Sequence, residues 1–258
     1  MTQIICIANQ KGGVGKTTTA INLSAALAMS SKRTLLVDCD PQANATTGVG
    51  IDKGMLERTL YHGMLGISEL NDIIVESGIP DLRVIPSRVE LIGFEVEMMA
   101  DPSRERCLKN LLRGVNGEYE YVVLDCPPSL SLLTLNAMTA ADTVLIPLQS
   151  EFYALEGLGQ LMQTIRRIKQ QLNPDLKIAG ILLTMYDKRT NLSSQVADNA
   201  EKHFKELVFK TRIPRNVRLG EAPSFGKPIL LHDAASVGAT SYMGLARELM
   251  KNQRRTHP

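Results

Sequence analysis

The run Lys11-Gly12-Gly13-Val14-Gly15-Lys16-Thr17-Thr18 packs three glycines, two lysines and two hydroxyls into eight residues. Without a Cβ, glycine lets successive backbone N–H groups converge on one point, and such a point takes an anion. The run follows a short apolar segment, Gln3 to Ala8, and precedes a helical pattern, Thr17 to Ser30. A helix starting there adds the positive end of its dipole to the same site. Strand, glycine loop, lysine, threonine and helix in this order make a P-loop, in which Lys16 is expected to reach the β- and γ-phosphates of ATP and Thr17 to offer its hydroxyl to Mg²⁺.

Carboxylates stand where such a site needs them. Asp38 and Asp40 lie at and just past the end of the apolar run Leu35-Leu36-Val37, and Asp125 ends Val122-Val123-Leu124. Residues two apart on an extended chain point to one side, and the carboxyl ends of parallel strands face the ligand crevice. Asp125 reads as the Walker B residue, holding Mg²⁺ through water. The bland alternative for each is an aspartate that caps the following loop. His62, His203, His232 and His257 are scattered without metal-ligand spacing. Cys6, Cys39, Cys107 and Cys126 form no C-x-x-C pair, so they fit buried, reduced thiols better than a disulfide framework or a zinc site.

These groups must be positioned by alternating strands and helices. Apolar runs at Gln3 to Ala8, Arg33 to Asp38, Leu82 to Pro86, Tyr121 to Asp125, Thr143 to Pro147 and Lys177 to Thr184 read as strands. Their unbroken Ile, Leu and Val content suits strands covered on both faces. Helical patterns cover Thr17 to Ser30, Arg104 to Val115, Ser131 to Ala141, Leu155 to Leu172, Leu192 to Glu206 and Ala239 to Asn252, with short helices near Ile67 to Val75 and Val89 to Met98. Lys210 to Ser236, with Pro214, Pro223 and Pro228, reads as a long surface loop that could hold one short strand. The expected fold is α/β: a mostly parallel, twisted sheet with helices on both faces. With 258 residues, 44% of them apolar, residues 1–258 are expected to form a single domain. No signal peptide and no apolar stretch of about 20 residues is present, so the expected location is the cytoplasm. A formal charge of +2 leaves any nucleic-acid site to a local patch.

The phosphate loop departs from the ordinary G-x-x-x-x-G-K-[ST] pattern, with Gln10 in place of the first glycine and Lys11 added at the entrance. This resembles the deviant Walker A motif, K-G-G-x-G-K-[ST], of the ParA/MinD/NifH group of ATPases. Further stretches narrow the resemblance to the chromosomal ParA (Soj) proteins over nearly the full length: Asp38 to Gly48, Asp125 to Leu130, Phe152 to Gly157, Leu183 to Asp187, and Ile213 to Arg218 followed by Glu221 to Ser224. The resemblance implies a P-loop NTPase fold and slow, Mg²⁺-dependent ATP hydrolysis. It implies that Lys11 crosses a two-fold ATP sandwich to the partner's phosphates, as an arginine finger does. It further implies that Asp40 positions or activates the attacking water, that Asp38 supports the phosphate loop and Lys11, and that Met185 and Pro214 lie near the adenine.

The same likeness implies an ATP-dependent homodimer that binds double-stranded DNA without sequence preference, sits on the nucleoid, and is stimulated by a ParB-like centromere-binding protein. Lys210, Arg212, Arg215 and Arg218 lie between Leu207 and Leu219 without an acidic residue, and Lys188 and Arg189 extend the set. Lys188, Arg189, Arg215 and Arg218 are the DNA-binding candidates, since loop cations give affinity through phosphates rather than bases. The motif begins at residue 11, so no amino-terminal helix-turn-helix domain is expected. The competing reading is a MinD-like membrane-associated positioning ATPase. It calls for an amphipathic carboxyl-terminal helix, whereas no bulky apolar residue follows Met250, so no membrane anchor is expected. A reductase resembling the nitrogenase iron protein would need bridging cysteines, and a small-molecule ligase or a non-hydrolysing scaffold stays open.

Overall fold

The computed structural model describes residues 2–115, 117–151 and 154–256. Phe152, Tyr153 and His257, drawn on above, lie outside the described residues. Seven strands, β1 (Gln3–Ile7), β2 (Thr34–Asp38), β3 (Val75–Glu76), β4 (Leu82–Ile85), β5 (Tyr121–Asp125), β6 (Thr143–Gln149) and β7 (Lys177–Thr184), form one sheet in the order β3-β4-β2-β5-β1-β6-β7. Every pairing is parallel except that of β3 with β4.

The two-residue period of the strands sorts their side chains into two cores. Leu35, Val37, Val122, Leu124, Val144, Ile146, Ile181 and Leu183 face one layer, which holds the helices α2 (Leu132–Ala140), α3 (Ala154–Gln171) and α4 (Asn191–Phe204). Ile5, Ile7, Leu36, Val123, Leu145 and Leu182 face the other, where α1 (Lys16–Ala28) and α5 (Val237–Thr256) pack against each other. A strand buried on both faces has no polar side to show, which is why these runs read as continuous Ile, Leu and Val.

Three expectations need correction. Strand β3 falls where a short helix was expected to end, because Val75 and Glu76 pair with Val84 and Arg83 at the sheet edge. Arg104 to Val115 is one α-helical turn, Cys107–Leu111, flanked by 3₁₀ turns rather than a single helix. Lys210 to Ser236 is no loose surface loop: it carries helical turns at Val217–Glu221, Ala222–Phe225 and Ile229–His232 and buries Leu219, Ala222, Ile229 and Leu230 against the α1 core. Pro223 and Pro228 sit at the starts of those turns, where a missing N–H costs nothing.

This last segment is held tightly against the elements around the glycine loop. Asn22 of α1 accepts the N–H of Ile229 at 2.7 Å and donates to Thr18 O at 2.8 Å. At Gly226, with φ at +61°, a Cβ would stand 2.7 Å from the Cα of Gly50, so backbone meets backbone. Any other residue there would combine an unfavourable φ with a clash that no side-chain rotation relieves.

Candidate nucleotide-binding site

The sheet register assembles the site. Ile7 pairs with Asp125, and Asp125 pairs with Asp38 on the opposite side, so β1, β5 and β2 end level with one another. The glycine loop leaves β1 and enters α1 through Gly15, whose φ of +86° only glycine adopts without strain. A Cβ at Gly12 or Gly13 would meet no atom within 4 Å, so the loop rims an open cradle. Thr184, at the end of β7, donates to the carbonyl of Val14 at 2.8 Å and fixes the loop from behind.

Lys16 is buried, and its ammonium donates to the carbonyl of Lys11 at 2.9 Å. Burial pulls its pKa down, while Asp125, Cys126 and Asp40 oppose that pull. Asp125 is wholly buried, and neither carboxylate oxygen makes a well-formed hydrogen bond. Burial, then the nearby Asp38, pushes its pKa well up, and the Thr17 hydroxyl and Lys16 act in the opposite direction. A buried carboxylate with no better donor than the nearby Thr17 hydroxyl is costly to leave so poorly partnered. A cation brought between Asp125 and Thr17 would satisfy it, so the donor set fits a hydrated Mg²⁺.

Asp38 is fully committed: Oδ2 accepts the N–H and hydroxyl of Thr46 at 2.8 and 2.7 Å, and Oδ1 accepts the Asp40 N–H at 3.2 Å. Burial raises its pKa to about 6 despite these donors. The protonated form is therefore favoured by folding; its stabilisation is complete below the ordinary 3.8 and lost as pH rises through about 6. Asp40 is nearly buried and accepts the Gln42 N–H at 2.9 Å. Lys11, exposed at the entrance, pairs with Glu151 at 2.5 Å, and its N–H donates to Asn9 Oδ1.

Met185 and Pro214 come together beside the loop. Met185 follows Thr184 with φ at +49°, and Tyr186 forms a bridge with Pro214. The cationic candidates are brought less cleanly together. Arg189 holds Asp187 at 2.8 Å, and Arg218 holds Glu221 at 3.1 Å and Asp233 at 3.7 Å. Asp233 is fifteen positions away in the chain, beyond the acid-free stretch seen in the sequence. Lys188 and Arg215 are exposed and form no ion pair among the described residues. Sequence reasoning missed Thr46, Asn9, Thr184 and Glu151, whose partners lie 8 to 170 residues away.

Three of the cysteines, Cys6, Cys39 and Cys126, are buried behind the carboxylates, with the sulfurs of Cys6 and Cys126 3.3 Å apart. The hydrogen bond to Cys126, then burial, pushes the Cys6 thiol well up, and burial does the same for Cys39. His62 closes a helix cap and His232 packs on Phe225. No cluster of three or more His, Cys, Asp or Glu placed to hold a metal ion without other ligands occurs, and no helix is long and apolar enough to cross a membrane, among the described residues.

Comparison with known proteins agrees with this geometry. Residues 2–178 match the AAA_31 family model, an AAA domain. The chain is 55% identical to the chromosome partitioning protein ParA of Myxococcus xanthus, over 96% of this chain and 88% of that protein. It is 53% identical to the sporulation initiation inhibitor protein Soj of Bacillus subtilis, over 98% and 100%. The crystal structure of cobyrinic acid a,c-diamide synthase from Mycobacterium smegmatis with bound ADP and magnesium superposes with a TM-score of 0.87 at 36% identity, covering 100% of this chain and 97% of that one. The chain belongs to the ParA/Soj family of chromosome-partitioning P-loop ATPases.

Proposed function

We propose that this chain is an ATP-dependent DNA-partitioning switch acting as one domain. ATP binds along Gly12 to Thr18, with Lys16 on the β- and γ-phosphates and Met185 and Pro214 against the adenine. Thr17 and Asp125 hold Mg²⁺, which when bound offsets charge on the phosphates. Asp38 ties the strand end to the loop that follows, and Asp40 orients the attacking water. The ATP-bound form pairs two-fold, and each Lys11 reaches the other subunit's phosphates. The pair binds double-stranded DNA on the nucleoid without sequence preference through Lys188, Arg189, Arg215 and Arg218. A ParB-like partner stimulates the slow hydrolysis, the pair opens, and DNA is released.

The observation that carries this reading is the contrast between the two lysines. Lys16 is buried over the glycine loop, whereas Lys11 stands exposed at its entrance with only a surface ion pair to Glu151. Such a pair is worth about 0–1 kcal/mol, so a facing triphosphate competes for Lys11 easily. The test is sedimentation velocity with a non-hydrolysable ATP analogue and Mg²⁺. Wild type is expected to double in mass and Lys11→Ala to remain single; a wild-type protein that stays single at every concentration refutes the sandwich.

Arg218→Glu tests the DNA surface. It sets a third carboxylate beside Glu221 and Asp233, and it should lower DNA affinity roughly tenfold and flatten the salt dependence by about one to two phosphate contacts. ATP hydrolysis without DNA should be unchanged. Equal retention of variant and wild type across salt concentrations would move the DNA surface elsewhere. Against the MinD-like reading, retention with ATP is expected on DNA and not on anionic vesicles.

A further inference from the structure

The segment after β4 presents an apolar face that nothing in the proposed mechanism uses. Val89–Ile92 forms a 3₁₀ turn that runs into the α-helical turn Gly93–Glu97. Its inner side is core, with Leu91 and Phe94 fully buried. Its outer side carries Val89, Ile92 and Val96, and Met99 follows in the turn just beyond; the four are exposed by 65, 54, 67 and 66%. Spacings of three, four and three residues put these four side chains along one face. Single exposed apolar residues are ordinary, but a row of four on one short element and the turn that ends it is the mark of a contact surface.

Charge decides what that surface fits. Between Pro86 and Glu105 stand five carboxylates, Glu90, Glu95, Glu97, Asp101 and Glu105, against two arginines, and both are engaged: Arg88 pairs with Glu90 at 3.0 Å, and Arg104 pairs with Glu105 at 3.1 Å and donates to the carbonyl of Met99. Arg88 also donates to the carbonyl of Leu56 at 2.8 Å, which joins this face to a groove of about 340 Å³ that bears two carboxylates, Glu57 and Asp72, and one arginine, Arg58, whose guanidinium is hydrogen-bonded to Ser68. An acid-rimmed apolar face repels DNA phosphates and anionic lipid headgroups alike. It is complementary to a segment that offers apolar side chains flanked by lysine or arginine.

The face is also wired to the nucleotide site. Ser87, two residues before Val89, donates its N–H to the Thr46 hydroxyl at 3.0 Å, and that hydroxyl donates to Asp38 at 2.7 Å. We infer that Val89, Ile92, Val96 and Met99, with their acidic rim, are the docking surface for a cationic amphipathic segment of a partner protein, and that occupancy reaches the ATP site through Ser87, Thr46 and Asp38. The inference rests on the reading that a ParB-like partner stimulates hydrolysis, and it adds where that partner sits.

The test compares the intact wild-type chain with an Ile92→Lys/Val96→Lys variant and, separately, Glu95→Lys. All three positions are partly or well exposed, outside the nucleotide site, so basal ATP hydrolysis and DNA retention serve as controls for folding and should not change. The probe is the full-length ParB-like protein, with its binding to the ATP-loaded chain and its stimulation of phosphate release both measured. Wild type should respond, while the double variant loses at least tenfold in partner affinity and most of the stimulation, and Glu95→Lys loses severalfold. Hydrogen exchange on the complex should slow at residues 87–99. A partner that stimulates wild type and variants equally overturns the docking surface alone. A partner that fails to stimulate wild type overturns the functional reading and the inference with it. Nucleotide-free self-association of wild type that the double variant abolishes, or variant-sensitive binding to anionic vesicles, assigns the face to another occupant and also overturns it.

Discussion

Lys16→Ala is expected to weaken ATP binding by about 100-fold or more, which is roughly 2.7 kcal/mol or above. A charge-assisted contact to a phosphate is worth about 1.5–3 kcal/mol, and Lys16 is already held in the loop, over the carbonyl of Lys11, before nucleotide arrives. Its ammonium opposes the upward shift of the buried Asp125. Removing it relieves the cost of burying a cation but deprives Asp125 of that counter-charge, so the effects on folding partly cancel. Thermal melting without nucleotide should therefore move little, while the upward shift of melting temperature on adding Mg-ATP should vanish. Fluorescent-nucleotide titration gives the affinity directly. Unchanged affinity would withdraw the phosphate-loop assignment of Lys16.

The second large effect belongs to Asp40. Asp40→Ala should cut the rate of phosphate release about 100-fold or more, the range ordinarily lost with a residue that positions or deprotonates the nucleophile. Pairing with ATP should persist, because the groups proposed to hold nucleotide and partner are untouched. The substitution also removes the acceptor for the Gln42 N–H, at a cost of about 1 kcal/mol. Asp40→Asn separates the two roles. The amide oxygen can still cap Gln42, so stability should return to wild type while turnover stays low. Normal turnover in both variants would take Asp40 out of the chemistry.

Much of this site could be read from the chain before folding. The strands ending at Asp38 and Asp125 were visible because parallel strands buried on both faces are uniformly apolar, and the charge at each tip stands out against that run. Gly15 and Lys16 were visible because a left-handed turn feeding a helix demands glycine. What stayed hidden depends on the sheet order. Nothing in the sequence says that β5 lies between β1 and β2, and that placement sets Asp38 opposite Asp125. The Thr46 hydroxyl, bonded to Asp38, meets Ser87 across 41 residues, and Glu151 meets Lys11 across 140. The basic stretch misled in a different way: the acid-free run ends at Leu219, so Glu221 pairs with Arg218 from one helical turn on, and Asp233 folds back onto it from fifteen residues away. The segment Lys210 to Ser236 looked loose because its helical turns are each shorter than a hydrophobic period can reveal.

The abutment of Gly50 on Gly226, together with the grip of Asn22 on Ile229, bears on how this family can be recombined. The strap that carries Arg218 has no clearance of its own beneath it, so it cannot be exchanged between relatives as a cassette. A chimera that imports a foreign 210–236 stretch packs as the parent does only if positions 22 and 50 travel with it.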